Sequence, residues 1–294
     1  MKQEKDSRVK KIALGTAQFG SDYGIDNPRG KIPCDEVHDI LFFALANGIQ
    51  TLDTAEGYGE SESVIGQFVQ KCKVCDLNIV SKFNTKDGTF WQNAFENSLK
   101  LLNVNYLYGY LIHDFNDFVK DPSLWDYLYS LKEKGAVKKI GFSLYSPFQL
   151  EHLLALNLKI DLLQVPYSIL DQRFAGYFET LKQQGTEIHV RSIFLQGLLF
   201  KPLEKLQGKF AKIKDIIKSL QTISKESNLP ISSLCINFAA LNPHIDKIVI
   251  GINDLNQLKE NIAALTLHKF SFRLYDALSK LYIDDEQIIV PSNW

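Results

Sequence analysis

Each thing this chain has little of excludes something. Four cysteines in 294 residues, at positions 34, 72, 75 and 235, are too few and too scattered for a disulfide framework. Cys72-Lys73-Val74-Cys75 has the spacing of a redox or zinc half-site. A tetrahedral zinc needs three or four ligands, and neither a second such pair nor paired histidines follow. The pair also falls at a predicted helix end rather than a start, so it reads as structural and no metal is expected. The formal net charge is only -1, which gives no electrostatic reason to expect nucleic acid or an anionic membrane as partner. No apolar run approaches the roughly 18–20 residues that span a bilayer. Residues 1–11 are charged and lack the apolar core of a secretory signal, so a cytoplasmic protein is expected. Also missing is a GxGxxG turn after the first strand. Gly15-Thr16-Ala17-Gln18-Phe19-Gly20 stands there instead, which argues against an open dinucleotide-binding sheet.

What is present is an ordinary globular composition, 45% hydrophobic and 23% charged, on a chain long enough to bury a full core. Short apolar runs alternate with stretches of helical periodicity. Strands are expected at about residues 11–17, 49–53, 78–82, 106–113, 137–143, 160–166, 187–192 and 247–250. Helices are expected at about residues 35–47, 61–71, 90–102, 123–134, 147–156, 172–184 and 256–265. Eight strand–helix alternations imply parallel strands with helices outside. Fitted into fewer than 300 residues, they favour a closed (β/α)8 barrel, a TIM barrel, as one domain over residues 1–294. Two segments are extra: a long first βα loop over residues 20–33, and helical stretches at 209–227 and 231–241 ahead of strand eight.

In such a barrel the chemistry sits at the C-terminal ends of the strands. Three consecutive strands end on ionisable groups there: Asp53, Lys82 and His113. Tyr58 lies five residues beyond Asp53, in the run Asp53-Thr54-Ala55-Glu56-Gly57-Tyr58-Gly59-Glu60-Ser61-Glu62. A carbonyl that accepts a hydride becomes an alkoxide and needs a proton. A tyrosine, with an ordinary pKa of about 10, carries one at neutral pH. A nearby lysine stabilises the phenolate left behind, a carboxylate holds that lysine charged, and a histidine orients the substrate oxygen. Taken singly, Asp53 can be a cap, Lys82 a solvated loop residue, and His113 a neighbour of the capping Asp114. His189 shares strand-seven phase with Arg191 and reads as a hydrogen-bonded core histidine. The lysines at 132, 134, 138 and 139 suit a helix end and need no ligand.

The chain resembles the aldo-keto reductase family, in its bacterial-type branch, over nearly its whole length. The match lies in Asp53 to Glu62, in Val80-Ser81-Lys82-Phe83 and in Tyr110-Leu111-Ile112-His113. The resemblance implies an NAD(P)H-dependent oxidoreductase acting on a small-molecule carbonyl, with Asp53, Tyr58, Lys82 and His113 as catalytic residues. For the cofactor it implies Gly15 and Thr16 after strand one, Ser143, Gln164, Arg191 and Ser192 after strands five to seven, and Gly251, Asn253, Gln257 and Asn261 around strand eight. This chain departs from the family at two of these places. Leu144 stands where the family has an amide-binding Asn, and Arg191 where it usually has an aromatic that stacks on the nicotinamide. NADPH is expected over NADH from the family, although neither Asn253 nor Gln257 supplies the cation that often meets a 2′-phosphate. Arg29 in the first loop suggests an anionic group on the substrate, and Trp294 can fold over the barrel mouth.

Two other readings stay open. One is a non-catalytic barrel that binds a nicotinamide cofactor as a regulatory or scaffold subunit. The other is an isomerase or lyase using Tyr58 and Lys82 without a cofactor. A proton donor is superfluous in the first, and the second predicts activity with no cofactor added.

Overall fold

The computed structural model describes residues 8–25, 27–72, 76–83, 91–265 and 270–294. Eight strands close into a barrel in which every neighbour is parallel: β1 Ile12–Gly15, β2 Thr51–Asp53, β3 Asn78–Phe83, β4 Leu107–Ile112, β5 Val137–Ser143, β6 Leu162–Pro166, β7 Glu187–Arg191 and β8 Lys247–Gly251. β8 pairs back onto β1, with Gly15 opposite Gly251. The strands are apolar because both faces are covered. Outward side chains such as Leu52, Ile112, Phe142 and Val190 join the core shared with the helices, whereas Val80, Leu111 and Leu162 form a separate cluster. That cluster fills the waist of the barrel, so the interior is packed rather than a pore.

Helices Cys34–Ala46, Ser61–Lys71, Trp91–Leu102, Ser123–Glu133, Pro147–Ala155, Phe178–Gln183 and Leu255–Ala264 follow their strands around the outside. Their starts are chemically marked. Ser146 and Gln149 form a capping box ahead of Pro147, and Asp254 accepts a hydrogen bond from the Gln257 backbone N–H at 2.8 Å. The helix expected over 172–184 is instead a 3-10 turn, Ala175–Tyr177, leading into Phe178–Gln183. Asp171 grips the Arg173 side chain and backbone and holds the chain in a turn there. The stretch expected at 209–227 opens with the 3-10 segment Gly208–Ile213 before the Lys214–Ser227 helix. Three short helices, Phe115–Lys120, Phe272–Ser279 and Glu286–Ile289, were not expected, being too brief to show a period. Cys75 and His268 lie outside the described residues, as does the expected helix start at residue 90. Cys34 and Cys235 are free thiols, but Cys72 is disulfide-bonded, which the cysteine spacing did not lead us to expect. No helix among the described residues is long and apolar enough to cross a membrane.

The N-terminal end of the barrel carries its own ionic cluster. Glu187 accepts from Tyr108 Oη at 2.7 Å, pairs with Lys139, and meets His189 Nε2 at 2.6 Å. His189 is therefore a hydrogen-bonded core histidine, as its strand phase suggested. Burial alone raises the carboxyl pKa of Glu187, but His189, Lys139 and Tyr108 together hold it well below the usual carboxylate range. A depressed folded pKa adds stability above the unfolded value of about 4.3, and that stability is lost as pH falls below it. Glu187→Gln should therefore lower the urea midpoint at neutral pH. It should also flatten the decline in stability below about pH 4.3 relative to wild type.

Candidate active site

The strand ends bring Asp53, Lys82, Tyr58 and His113 together. Asp53 ends β2 at the same level as Gly15 and Val80 on its neighbours. Lys82 is fully buried. Its Nζ donates to Asp53 Oδ1 at 2.8 Å and to the Thr54 carbonyl at 2.7 Å, and lies 3.5 Å from Tyr58 Oη. The last distance is long for a hydrogen bond, so the ammonium acts on Tyr58 mainly as a close charge. The His113 ring stands edge-on to Tyr58, with centroids 5.9 Å apart. Asp53 Oδ2 accepts from Gln164 Nε2 at 2.6 Å, and Gln164 Oε1 accepts from the Ser143 hydroxyl at 3.3 Å. Burial and then the Asp53 charge push the Tyr58 phenol far above its ordinary pKa, while Arg191 opposes them. Tyr58 thus keeps its proton throughout the physiological range.

The rest of the Asp53–Glu62 run is scaffolding. Ser61 Oγ donates to Thr16 Oγ1 at 2.8 Å and lies 3.1 Å from Thr54 Oγ1. Glu62, buried beneath the loop, accepts from Ser81 at 2.6 Å and Ser98 at 3.1 Å. Gly59 has φ of 58°, and its Cα faces Gly20 backbone to backbone. A Cβ on Gly20 would lie 1.9 Å from the Tyr58 carbonyl oxygen. Gly20→Ala must therefore push away the loop that carries Tyr58. We expect a loss of about 1–3 kcal/mol of stability, the usual cost of overpacking, and at least a tenfold fall in turnover. A variant with wild-type melting and turnover would contradict this.

A cavity of about 510 Å³ opens above these residues. Asp53, Tyr58 and His113 line it, with Gly15, Thr16, Gln164, Arg191, Ser192, Gly251, Asn253, Gln257 and Asn261. Two expected residues do not line it. Lys82 lies beneath Asp53 and Tyr58, and Ser143 reaches the site only through Gln164. Leu144 is fully buried in the hydrophobic core, and only its backbone meets the site, its carbonyl accepting from Arg191 Nη2 at 2.9 Å. Lys259 points away, over the Phe43 ring. Arg29 does not line the cavity. Both of its Nη atoms are taken by Glu36, and Nη1 also donates to the Asn253 carbonyl at 3.2 Å, which removes the case for a substrate anion held by Arg29. Trp294 does not cover the mouth either. Its Nε1 donates to the Ile288 carbonyl and its ring packs on Phe210.

Sequence reasoning named Ser192 but missed the rest of the loop after β7. Ser192, Leu195, Gln196 and Gly197 all have positive φ, and the whole segment from Ser192 to Gly197 lines the cavity. The Gln196-Gly197 pair was the only visible hint. Left-handed residues among right-handed ones gather backbone N–H groups into an anion-binding concavity. Gln18, Glu260 and Ser232 were also missed.

The barrel agrees with comparison to known proteins. The chain matches the model of the aldo/keto reductase family over residues 11–283, and it belongs to that family. It is similar to an uncharacterized oxidoreductase, YqkF, of Bacillus subtilis (strain 168), with 21% identity covering 90% of each chain. It is also similar to the NADH-specific methylglyoxal reductase of Escherichia coli (strain K12), with 22% identity covering 90% of this chain and 92% of that one. In fold it resembles the aldo-keto reductase AKR11C1 from Bacillus halodurans, holo form, with a TM-score of 0.75 at 21% identity over 92% of this chain and 91% of that one. The protein is an aldo-keto reductase family oxidoreductase.

Proposed function

We propose that this protein reduces an aldehyde or ketone, of small or sugar-derived type, to an alcohol, with Tyr58 as the general acid. The observation that carries the reading is Lys82 Nζ, held 2.8 Å from Asp53 Oδ1 and 3.5 Å from Tyr58 Oη at the foot of the cavity. The residues present suit a nicotinamide dinucleotide. Gly251 and the ten-residue Leu255–Ala264 helix offer an N-terminus to phosphate, the left-handed loop after β7 offers a second anion concavity, and Gln257 and Asn261 are polar groups along the wall. When bound, such a cofactor supplies the hydride. Gln164, steadied by Ser143, would meet its carboxamide.

His113 and Tyr58 converge on the place where the carbonyl oxygen would lie. As negative charge grows on that oxygen, Tyr58 gives up its proton, since an alkoxide is a stronger base than a phenolate. Lys82 then balances the phenolate, and Asp53 keeps Lys82 in position. Gln164 holds the second oxygen of Asp53, so the carboxylate cannot swing towards the phenol.

NADPH is our first assignment. Arg29 reaches the Asn253 loop, but Glu36 holds both of its Nη atoms and Asp254 lies 3.9 Å from Nη1. A 2′-phosphate would have to compete with Glu36 for it, so NADH is the second assignment, in keeping with the name of the Escherichia coli relative. The reading of a non-catalytic binding subunit is disfavoured by the buried ion pair, which serves no purpose in binding alone.

Tyr58→Phe should lower kcat by about 10²–10⁴-fold, the range of a general acid, and leave cofactor affinity within a factor of two or so. Retained turnover would assign the proton elsewhere. The pH profile gives an independent check. Only protonated Tyr58 can donate, and its pKa is raised, so kcat for reduction should stay level past about pH 10. A descending limb centred below that value would contradict the assignment.

A further inference from the structure

Away from the cavity, two helices bring a thiol, an imidazole and an ammonium into line. Cys34 is the first residue of the Cys34–Ala46 helix and a free, partly exposed thiol. One turn on, His38 is buried, at 5% exposure, and its Nε2 lies 3.6 Å from Cys34 Sγ. Its other nitrogen, Nδ1, lies 3.1 Å from Lys71 Nζ, at the end of the Ser61–Lys71 helix packed alongside. The ring is further held against Phe68, with centroids 5.8 Å apart. These contacts assign the imidazole proton. An ammonium has protons to give and no lone pair with which to accept. Nδ1 therefore accepts from Lys71, and Nε2 carries the hydrogen that faces the sulfur. His38 is thus a donor to Cys34, not its base. On its other side the sulfur donates to Gln67 Oε1 at 3.4 Å.

We propose that Cys34 is a modification site, a nucleophile that attacks a small disulfide and becomes a mixed disulfide. Negative charge on its sulfur is stabilised from two directions, by the N–H groups at the helix start and by His38 Nε2–H. Of the two acids in the same turn, Glu36 is paired with Arg29 and Asp35 is exposed to water. Gln67 is exposed as well, and turning its amide over presents an N–H to the sulfur in place of the oxygen. The step balances between the two reactants. The thiol proton passes to water. The Cys34 sulfur bonds to one sulfur of the small disulfide, the old S–S bond breaks, and its electron pair leaves on a small thiolate. Cys34 is oxidised and the departing sulfur is reduced.

Cys235, the other free thiol, shows what the chain's sulfur does without this setting. It is 1% exposed in the hydrophobic core, and burial pushes its thiol pKa up. It serves as an internal control that stays inert while the fold is intact. The Cys34 set also stands apart from the reaction site. Cys34, His38, Gln67 and Lys71 are not among the residues that line the cavity. Modification of Cys34 therefore removes none of Asp53, Tyr58, Lys82 and His113, and the readout is thiol chemistry rather than turnover.

The test uses the full chain, purified without reductant, and the small disulfide 4,4′-dithiodipyridine at pH 7. Released pyridinethione gives the rate, and peptide mass mapping gives the position. One label per chain is expected, on Cys34, at a rate at least fivefold above that of N-acetylcysteine under the same conditions. Lys71 is exposed, so its variants keep the fold, which thermal melting checks. Lys71→Met no longer fixes the imidazole proton on Nε2, and the rate should fall at least threefold. Lys71→Arg still donates to Nδ1 and should keep most of the rate. A Cys34 rate at or below that of the free thiol would overturn the proposal. So would a label that falls on Cys72 or Cys235 in place of Cys34, or an unchanged rate in Lys71→Met.

Discussion

The buried ion pair between Asp53 and Lys82 is the constraint on which the rest of the site depends. Both side chains are almost completely shielded from water, at 3% and 0% exposure. Removing one partner of such a pair costs about 3–5 kcal/mol, because a charge is then left uncompensated. Each partner of the pair has a second hydrogen bond. Lys82 has the Thr54 carbonyl as a second acceptor, and Asp53 has the Gln164 amide as a second donor. These bonds fix both groups, and on the proposed reading a fixed ammonium is what makes a nearby phenol useful. A hydrophobic pair of similar volume would be tolerated by the fold, but it would leave the Tyr58 phenolate without a counter-charge. On the proposed mechanism, the pair is stability given up for chemistry.

The fold delivers these groups without any local structure of its own devising. Parallel pairing brings the C-terminal ends of β2, β3 and β4 to one rim, so residues 53, 82 and 113 meet although they are far apart in sequence. The loop bearing Tyr58 needs more help. Thr16, Thr54 and Ser61 tie it to β1 and β2 through hydroxyls, Glu62 anchors the helix start to Ser81 and Ser98, and Gly20 meets Gly59 where no side chain fits. A ten-residue signature is thus mostly a description of how to hold one tyrosine still.

That explains what was legible in the sequence. The barrel and the four residues Asp53, Tyr58, Lys82 and His113 could be read because each strand is a short apolar run with its ionisable residue directly after it. Alternation of a strand also gave the inward phase of His189 and Arg191. Contacts between distant loops could not be read. Nothing local says that Arg29 reaches Asn253, 224 positions away. Nothing marks Trp294 as packing on Phe210 rather than on the mouth. The loop after β7 was hidden for another reason: three of its four left-handed residues are Ser192, Leu195 and Gln196, types that seldom announce that conformation. Leu144 looked like a lost cofactor contact. In space it is a core residue whose backbone, not its side chain, serves the site by anchoring Arg191.

The barrel interior also separates two electrostatic tasks. At one end Glu187, His189, Lys139 and Tyr108 form a cluster that holds strand starts together. At the other, Asp53, Lys82 and Gln164 face the cavity. Val80, Leu111 and Leu162 lie between them as an apolar plug. On the β6–β7 side the two groups come together, since His189 stands opposite Gln164 in register. The mouth keeps its own balance of charge. In that balance Lys82 is matched by Asp53, whereas Arg191 is matched only by a carbonyl, a hydroxyl and a ring face.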